Sequence, residues 1–315
     1  TVPTAGPFVA HSPFSLIRHN GQHVLLKNGS HLTDVSITPS PQYYALQTAD
    51  GIPYKQIALL HGINCLASTV LQKCTYWNTP ERCQFCGIEI SLNSSATTPQ
   101  KTPEQLLEVA QTALRLGSIS HITLTAGSQA DTTSEVEHLA SCCTHLKSGT
   151  DLPIHVQIIP PRELGLLELL KQSGADTIGI HIESFDQTVL NRIAPCKTHY
   201  SLEDFINTWK ESVRLFGINQ VSSFIILGLG ETSQSVIEGV KLLCDLGVYP
   251  FIVPLRPIPG TPLGMDSPPN PEYMISIYEQ TAVILKKSGL SWKKSKAGCV
   301  RCGACSGLPD FEDET

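Results

Sequence analysis

Between Pro53 and Leu290 the chain alternates short apolar runs with longer segments of helical periodicity, a rhythm that few folds accept. Repeated βα units of this kind build a parallel sheet. The predicted strands are Gln56–His61, Ile119–Thr125, Ile154–Ile159, Thr177–Ile182, Val221–Leu227 and Tyr249–Pro254. The first intervening helix has a strong start in Thr102, Pro103 and Gln105, an N-cap, a first-turn proline and the partner of a capping box, and Gly117 ends it. Its core face reads Leu106, Leu107, Val109, Ala110, Ala113 and Leu114. A later helix starts near Ser201, runs through Phe205, Ile206, Trp209 and Val213, and stops before Gly217.

The flanks break the rhythm. Residues 1–52 are rich in Pro, Ser, His and Gly, and His23–Leu26 with Asp34–Thr38 read as a hairpin turned at Asn28-Gly29. After a last helix over about Pro271 to Lys287, residues 291–315 form a tail whose acidic end, Asp310–Thr315, is expected to fray. The fold class is therefore α/β, a partial (β/α)6 barrel of the TIM type over residues 53–290. It carries an N-terminal β extension and a C-terminal tail.

Eleven cysteines are present, and six fall in two tight groups: Cys74, Cys83 and Cys86 near the first strand, and Cys299, Cys302 and Cys305 in the tail. A disulfide framework suits a small secreted chain, so this pattern points to metal or iron–sulfur sites in a reducing, cytoplasmic setting. Each group offers three thiolates where structural zinc wants four ligands, and a cubane with three protein ligands keeps one iron free for chemistry. Cys142, Cys143 and Cys244 fall on helical patterns and read as structural thiols, whereas Cys196 is open. In a parallel barrel, ligands gather at the C-terminal strand ends, where the loop carrying the first trio is expected.

Charge and hydropathy exclude several partners. A net charge of −6 from 22 basic and 28 acidic residues argues against nucleic acid, and no apolar run reaches the roughly 18 to 20 residues that span a bilayer. Lys293, Lys294, Lys296 and Arg301 surround the tail cysteines, either as a solvated patch or as an attraction for an acidic electron donor.

The run Cys74-x8-Cys83-Gln84-Phe85-Cys86, after the first strand of a βα array and with an aromatic before the last cysteine, resembles the radical S-adenosylmethionine superfamily. The usual spacing there is C-x3-C-x2-C, so the eight-residue gap is a departure, with Cys65 a rival for the first position. The resemblance implies a [4Fe–4S] cluster on three cysteines, with S-adenosylmethionine on the fourth iron. It also implies a small-molecule or carrier-bound substrate and a ferredoxin- or flavodoxin-type donor. It further implies roles for Phe85 beside the adenine or the cluster, Gly127 and Ser128 at the methionine ammonium, and Glu183 at the ribose. Lys197 (rival Arg192) would meet the carboxylate, and Gly228 would lie in the GxGE turn behind the adenine strand.

The tail, Cys299-x2-Cys302-x2-Cys305, is similar to the front of a ferredoxin run, with Pro309 seated where the fourth cysteine would come. It implies an auxiliary iron–sulfur cluster of the [4Fe–4S] form, with a fourth ligand from Ser306, Cys65, Cys196, a substrate or sulfide; a zinc knuckle is the structural alternative. Together with the Pro-Gly-Thr-Pro turn at residues 259–262, the tail is similar to biotin-synthase-related proteins, including the split lipoyl-synthase type and members associated with nitrilase gene clusters. Sulfur insertion at an unactivated carbon is the first reaction implied. The competing class is a non-catalytic electron carrier or zinc-stabilised binding protein.

Overall fold

The structure is a computed structural model that describes residues 6–117 and 119–315. Residues 1–5 of the expected extension lie outside the described residues. The extension folds as a three-stranded antiparallel sheet of β1 (Phe14–His19), β2 (Gln22–Lys27) and β3 (Ser30–Val35). Two Asn-Gly pairs make its turns. Asn20 and Gly21, and again Asn28 and Gly29, all have positive φ, the combination that a two-residue turn between twisted strands requires. The expected partner of His23–Leu26 thus begins earlier, at Ser30, and a third strand precedes both.

The main sheet has seven strands in the order β10, β9, β8, β7, β6, β5, β4. They are β4 (Leu59–His61), β5 (Cys65–Leu71), β6 (His121–Ala126), β7 (Ile154–Ile158), β8 (Thr177–Ile180), β9 (Val221–Leu227) and β10 (Tyr249–Pro254). β5 through β10 pair in parallel and β4 runs antiparallel at the edge, so six βα units form a curled half-barrel. One expectation is corrected here. Gln56 and Ile57 lie in a helical turn (Tyr54–Ile57), Leu59–His61 is only the antiparallel edge, and the first parallel strand is Cys65–Leu71.

Strand residues alternate between two environments. Ile154, Val156 and Ile158 of β7 point into the apolar layer beneath the helices, while His155 and Gln157 face the concave side, where they meet Gly298 and Cys299 of the tail. The helices begin as their caps dictate. Thr102 and Gln105 close a capping box over Pro103–Arg115, Ser201 and Asp204 close another over Leu202–Phe216, and Asp131, Asp186 and Thr232 cap three more. Leu114, expected in the core, is 40% exposed.

The tail enters the half-barrel. Its short helix Gly298–Cys302 packs against β6, β7, β8 and β10, strands on both sides of the sheet, which it can reach together only from inside the curl. Asn219 and Ser291 exchange two hydrogen bonds of 2.9 and 2.7 Å to hold the entry point. The acidic end does not fray. Leu308–Glu314 is helical, Phe311 rests on Tyr278, and Glu312 accepts from the Tyr249 hydroxyl and from Trp292 N at 3.1 Å.

Candidate active site

A cavity of about 200 Å³ opens where the parallel strands end. Its rim is the loop after β5, which contributes Cys74, Cys83, Phe85 and Cys86. Its floor comes from the strand ends: Gly127 and Ser128 after β6, Gln157 of β7 with Ile159 just after it, and His181 and Glu183 after β8. Cys196 and Lys197 close the far wall from a single-turn helix, Pro195–His199.

The loop is held from several directions. Cys74 N donates to Glu89 Oε1 at 2.9 Å, Thr75 N to Ser128 O at 2.8 Å, and Gln84 N to Ile193 O at 2.8 Å. Arg82 stacks on Trp77 with 3.4 Å to the ring centroid and donates to Cys86 O at 3.1 Å, so the eight-residue insertion is folded down. Gly127 is required by contact, because a Cβ there would stand 2.2 Å from Lys73 O, immediately before Cys74. Burial pushes Cys74 up, and Cys86 up to about 12. Cys83 lies 3.4 Å from Cys196; the hydrogen bond between them, with burial, holds Cys83 protonated, and the same bond draws Cys196 down against the opposing effect of its burial.

Glu183 and Lys197 form a buried pair, Nζ to Oε1 at 2.7 Å, with side chains 10% and 9% exposed. Burial draws the lysine down, but Glu183 and the Cys83 and Cys196 sulfurs outweigh it, and the ammonium is favoured. Glu183 has φ +71°, a left-handed conformation that costs a non-glycine residue about 1–2 kcal/mol. It is held there by its N–H to Phe224 O at 3.0 Å and by Ile226 N to its carbonyl at 2.9 Å. Its second carboxylate oxygen, Oε2, is buried with no partner within the protein.

His181 offers another open group. Its Nδ1 accepts from Phe224 N at 3.1 Å, which leaves the proton on Nε2, and Nε2 is buried without a partner. The ring stacks on Phe224 with centroids 4.0 Å apart.

Of the residues singled out from the sequence, Cys74, Cys83, Cys86, Phe85, Gly127, Ser128, Glu183 and Lys197 meet at this cavity. Gly228 does not line it. It is exposed beyond β9, with its N–H given to Glu231 Oε1 at 2.9 Å. Arg192, the rival of Lys197, is turned away and donates to Leu229 O at 2.6 Å. Gln157 and His181 also line the cavity, and neither belongs to a motif that spacing picks out. The available signal was alternation, since a polar residue at every second place in an otherwise apolar strand marks the face that is not core.

The tail trio lies deeper in the curl. Cys299 Sγ accepts from Gln157 Nε2 at 3.3 Å, and Cys299 is near enough to Cys302 and Cys305 to feel their charge. The two cysteine groups are therefore separate, with Gln157 between them.

Comparison with known proteins identifies the fold and the family. A family model described as the Radical SAM superfamily matches residues 79–243, just over half of the chain. A curated protein, bacteriochlorophyllide c C-7(1)-hydroxylase of Chlorobaculum limnaeum, is 30% identical over 134 residues, 42% of this chain and 33% of that one. The match thus spans about a third of the relative's length. Among solved structures, a radical SAM methyltransferase from Sphaerobacter thermophilus aligns with a TM-score of 0.55 at 14% identity, covering 94% of this chain and 81% of its own. Methylornithine synthase (PylB) gives 0.52 at 15%, covering 70% and 63%. The FeFe-hydrogenase maturase HydG from Carboxydothermus hydrogenoformans gives 0.53 at 16%, covering 78% and 57%. These likenesses concern the fold, and the family model spans Cys83, Cys86, Gly127, Glu183 and Lys197, with Cys74 just before it. The chain belongs to the radical SAM superfamily, enzymes that carry out radical chemistry with a [4Fe–4S] cluster and S-adenosylmethionine.

Proposed function

We propose that Cys74, Cys83 and Cys86 hold the [4Fe–4S] cluster and that the cavity beside them binds S-adenosylmethionine and then substrate. The observation that carries this reading is the convergence of these three thiols with Gly127, Glu183 and Lys197 on one cavity at the C-terminal strand ends. The donor set suits the group: three soft sulfurs are at the rim, a buried carboxylate oxygen lacks a partner, and a glycine lets the backbone approach closely. When bound, the cluster and S-adenosylmethionine supply a primary carbon radical that no amino-acid side chain can generate.

The chain's own residues bind, orient and shield. Glu183 Oε2 is free to accept from a ribose hydroxyl while Oε1 stays with Lys197. Lys197 would supply a positive charge to the methionine carboxylate, and Ser128 and the Gly127 backbone, which also line the cavity, would meet its ammonium group. Phe85 and His181, the latter backed by the Phe224 ring stacked on it, supply surface that keeps water from a reactive carbon. His181 Nε2–H and Gln157 are the polar groups left to orient a substrate atom against the nucleoside.

The reaction class is hydrogen abstraction from an unactivated C–H bond of a small or carrier-bound substrate. The tail trio Cys299, Cys302 and Cys305 would carry an auxiliary iron–sulfur cluster, and sulfur insertion is the first outcome considered. A second outcome, oxygenation of the substrate carbon, is favoured by the relative named as a hydroxylase. The test is anaerobic reconstitution followed by S-adenosylmethionine and dithionite. Formation of 5′-deoxyadenosine, dependent on Cys83 and Cys86, supports the reading, and bound zinc without cleavage overturns it.

A further inference from the structure

One further thiol lies near each trio. Cys196, at the mouth, is hydrogen-bonded to Cys83 at 3.4 Å and is not assigned as a ligand there. Cys65 goes to the tail. It opens β5 on the concave face, 2% exposed, and contacts Thr123 Oγ1 at 3.3 Å, three residues from the Gly62 turn that meets the Cys302 sulfur. The hairpin before it is shaped for this meeting. Gly62, at φ +58°, turns β4 into β5, and a Cβ there would stand 2.9 Å from Cys302 Sγ and 3.2 Å from the Ala304 methyl. Only a bare backbone lets the tail come this close.

We propose that Cys65 completes a four-thiolate set with Cys299, Cys302 and Cys305, and that the centre so closed is a filled iron–sulfur cluster that exchanges electrons and binds no substrate. The inference rests on the reading of the tail trio as cluster ligands. The other candidates for the fourth position are engaged elsewhere: Cys196 is at the mouth, and Ser306 Oγ donates to Ile252 O at 2.5 Å and accepts from Leu308 N at 3.2 Å. Among the described residues no three His, Cys, Asp or Glu side chains gather tightly enough to hold a single metal ion.

The placement suits transfer between surface and mouth. Cys302 and Cys305 form part of the wall of an open groove of about 1030 Å³ with Leu60, Ile63 and Trp292, while Cys299 faces Gln157 at the mouth cavity. A cluster held by these four thiols would take one electron from a ferredoxin- or flavodoxin-class donor at the groove and pass one on toward the mouth, with no bond formed or broken. Four protein ligands leave no iron for a substrate sulfur or carboxylate.

The test uses the full chain with Cys74, Cys83 and Cys86 all replaced by Ala, so that only the tail centre can be seen. Reconstituted anaerobically and reduced, this parent is expected to hold one cluster whose electron paramagnetic resonance signal is unmoved by cyanide. Adding Cys65→Ser, the near-isosteric change, is expected to shift the signal, and Cys65→Ala to make it cyanide-sensitive or to lose iron. An unchanged signal and iron content in both Cys65 variants overturns the assignment of Cys65 alone, as does a cyanide response in the parent. A parent without iron and sulfide overturns the tail cluster itself.

Discussion

Replacing Gly127 by Ala tests whether the strand end after β6 positions the cysteine loop. The new Cβ would lie 2.2 Å from Lys73 O, 2.8 Å from Lys73 C and 3.0 Å from Ile88 Cδ1, so the backbone before Cys74 or the strand end must yield. Real Cβ contacts need at least 3.0 Å, which sets the displacement at about 0.8 Å. It falls on a segment pinned by Cys74 N to Glu89 and Thr75 N to Ser128, where no flexible side chain can absorb it. A misplacement of about 1 Å costs a reaction on the order of 10²-fold, and overpacking costs about 1–3 kcal/mol of stability. The assay is 5′-deoxyadenosine formation with dithionite at saturating S-adenosylmethionine, read beside iron content and a denaturant titration. Gly165→Ala is the control, since a Cβ there meets nothing within 4 Å. Cleavage within twofold of the parent, with full iron, would refute the positional role of the Lys73–Gly127 contact.

Replacing Cys83 or Cys86 by Ala is expected to abolish cleavage, whereas Cys302→Ala is expected to spare uncoupled cleavage and stop product formation; equal loss of cleavage in all three contradicts a division of labour. Lys197→Met strands a buried carboxylate and is expected to cost about 3–5 kcal/mol in urea unfolding, most of it recovered in the Lys197→Met/Glu183→Gln double variant. A double variant no more stable than the single one removes the pairing argument. Glu135 is buried and pushed up to about 7 by desolvation, against which the Gln129 N–H works. The native state therefore holds a proton that the unfolded chain, titrating near 4.5, has released, so stability falls as pH rises between those values. Glu135→Gln is expected to flatten that fall, a gain of about 3 kcal/mol at pH 8 relative to pH 4. Parallel stability profiles for the two proteins would show that Glu135 is not the group responsible.

Legibility from sequence followed locality. The Thr102-Pro103-Gln105 and Ser201 starts were readable because a cap is satisfied within four residues. β5 was not. Ala67, Ser68 and Thr69 interrupt its apolar run, because the face that bears Cys65 and Ala67 looks toward the tail, while the stronger apolar signal at Leu59-Leu60 belongs to an edge. The acidic end looked solvated, yet Leu308 and Phe311 dock it, contacts with partners far away in sequence. At the site, cysteine spacing and the glycine turn marked the loop and one strand end. Glu183, Lys197 and Cys196 come together only because the fold brings residues 183 and 196–197 beside residue 83. Gly228, chosen for its GxGE context, serves a turn held by Glu231 outside the cavity.

The central claim is an iron at the mouth that stays open for S-adenosylmethionine. Its most direct measurement is electron paramagnetic resonance of the reduced, reconstituted Cys65→Ala/Cys299→Ala/Cys302→Ala/Cys305→Ala protein, in which the mouth cluster stands alone, before and after S-adenosylmethionine. The account predicts a [4Fe–4S] signal that shifts when S-adenosylmethionine binds and disappears when Cys86 is also replaced. A signal indifferent to S-adenosylmethionine, or a mouth that takes up zinc in place of iron, would contradict it.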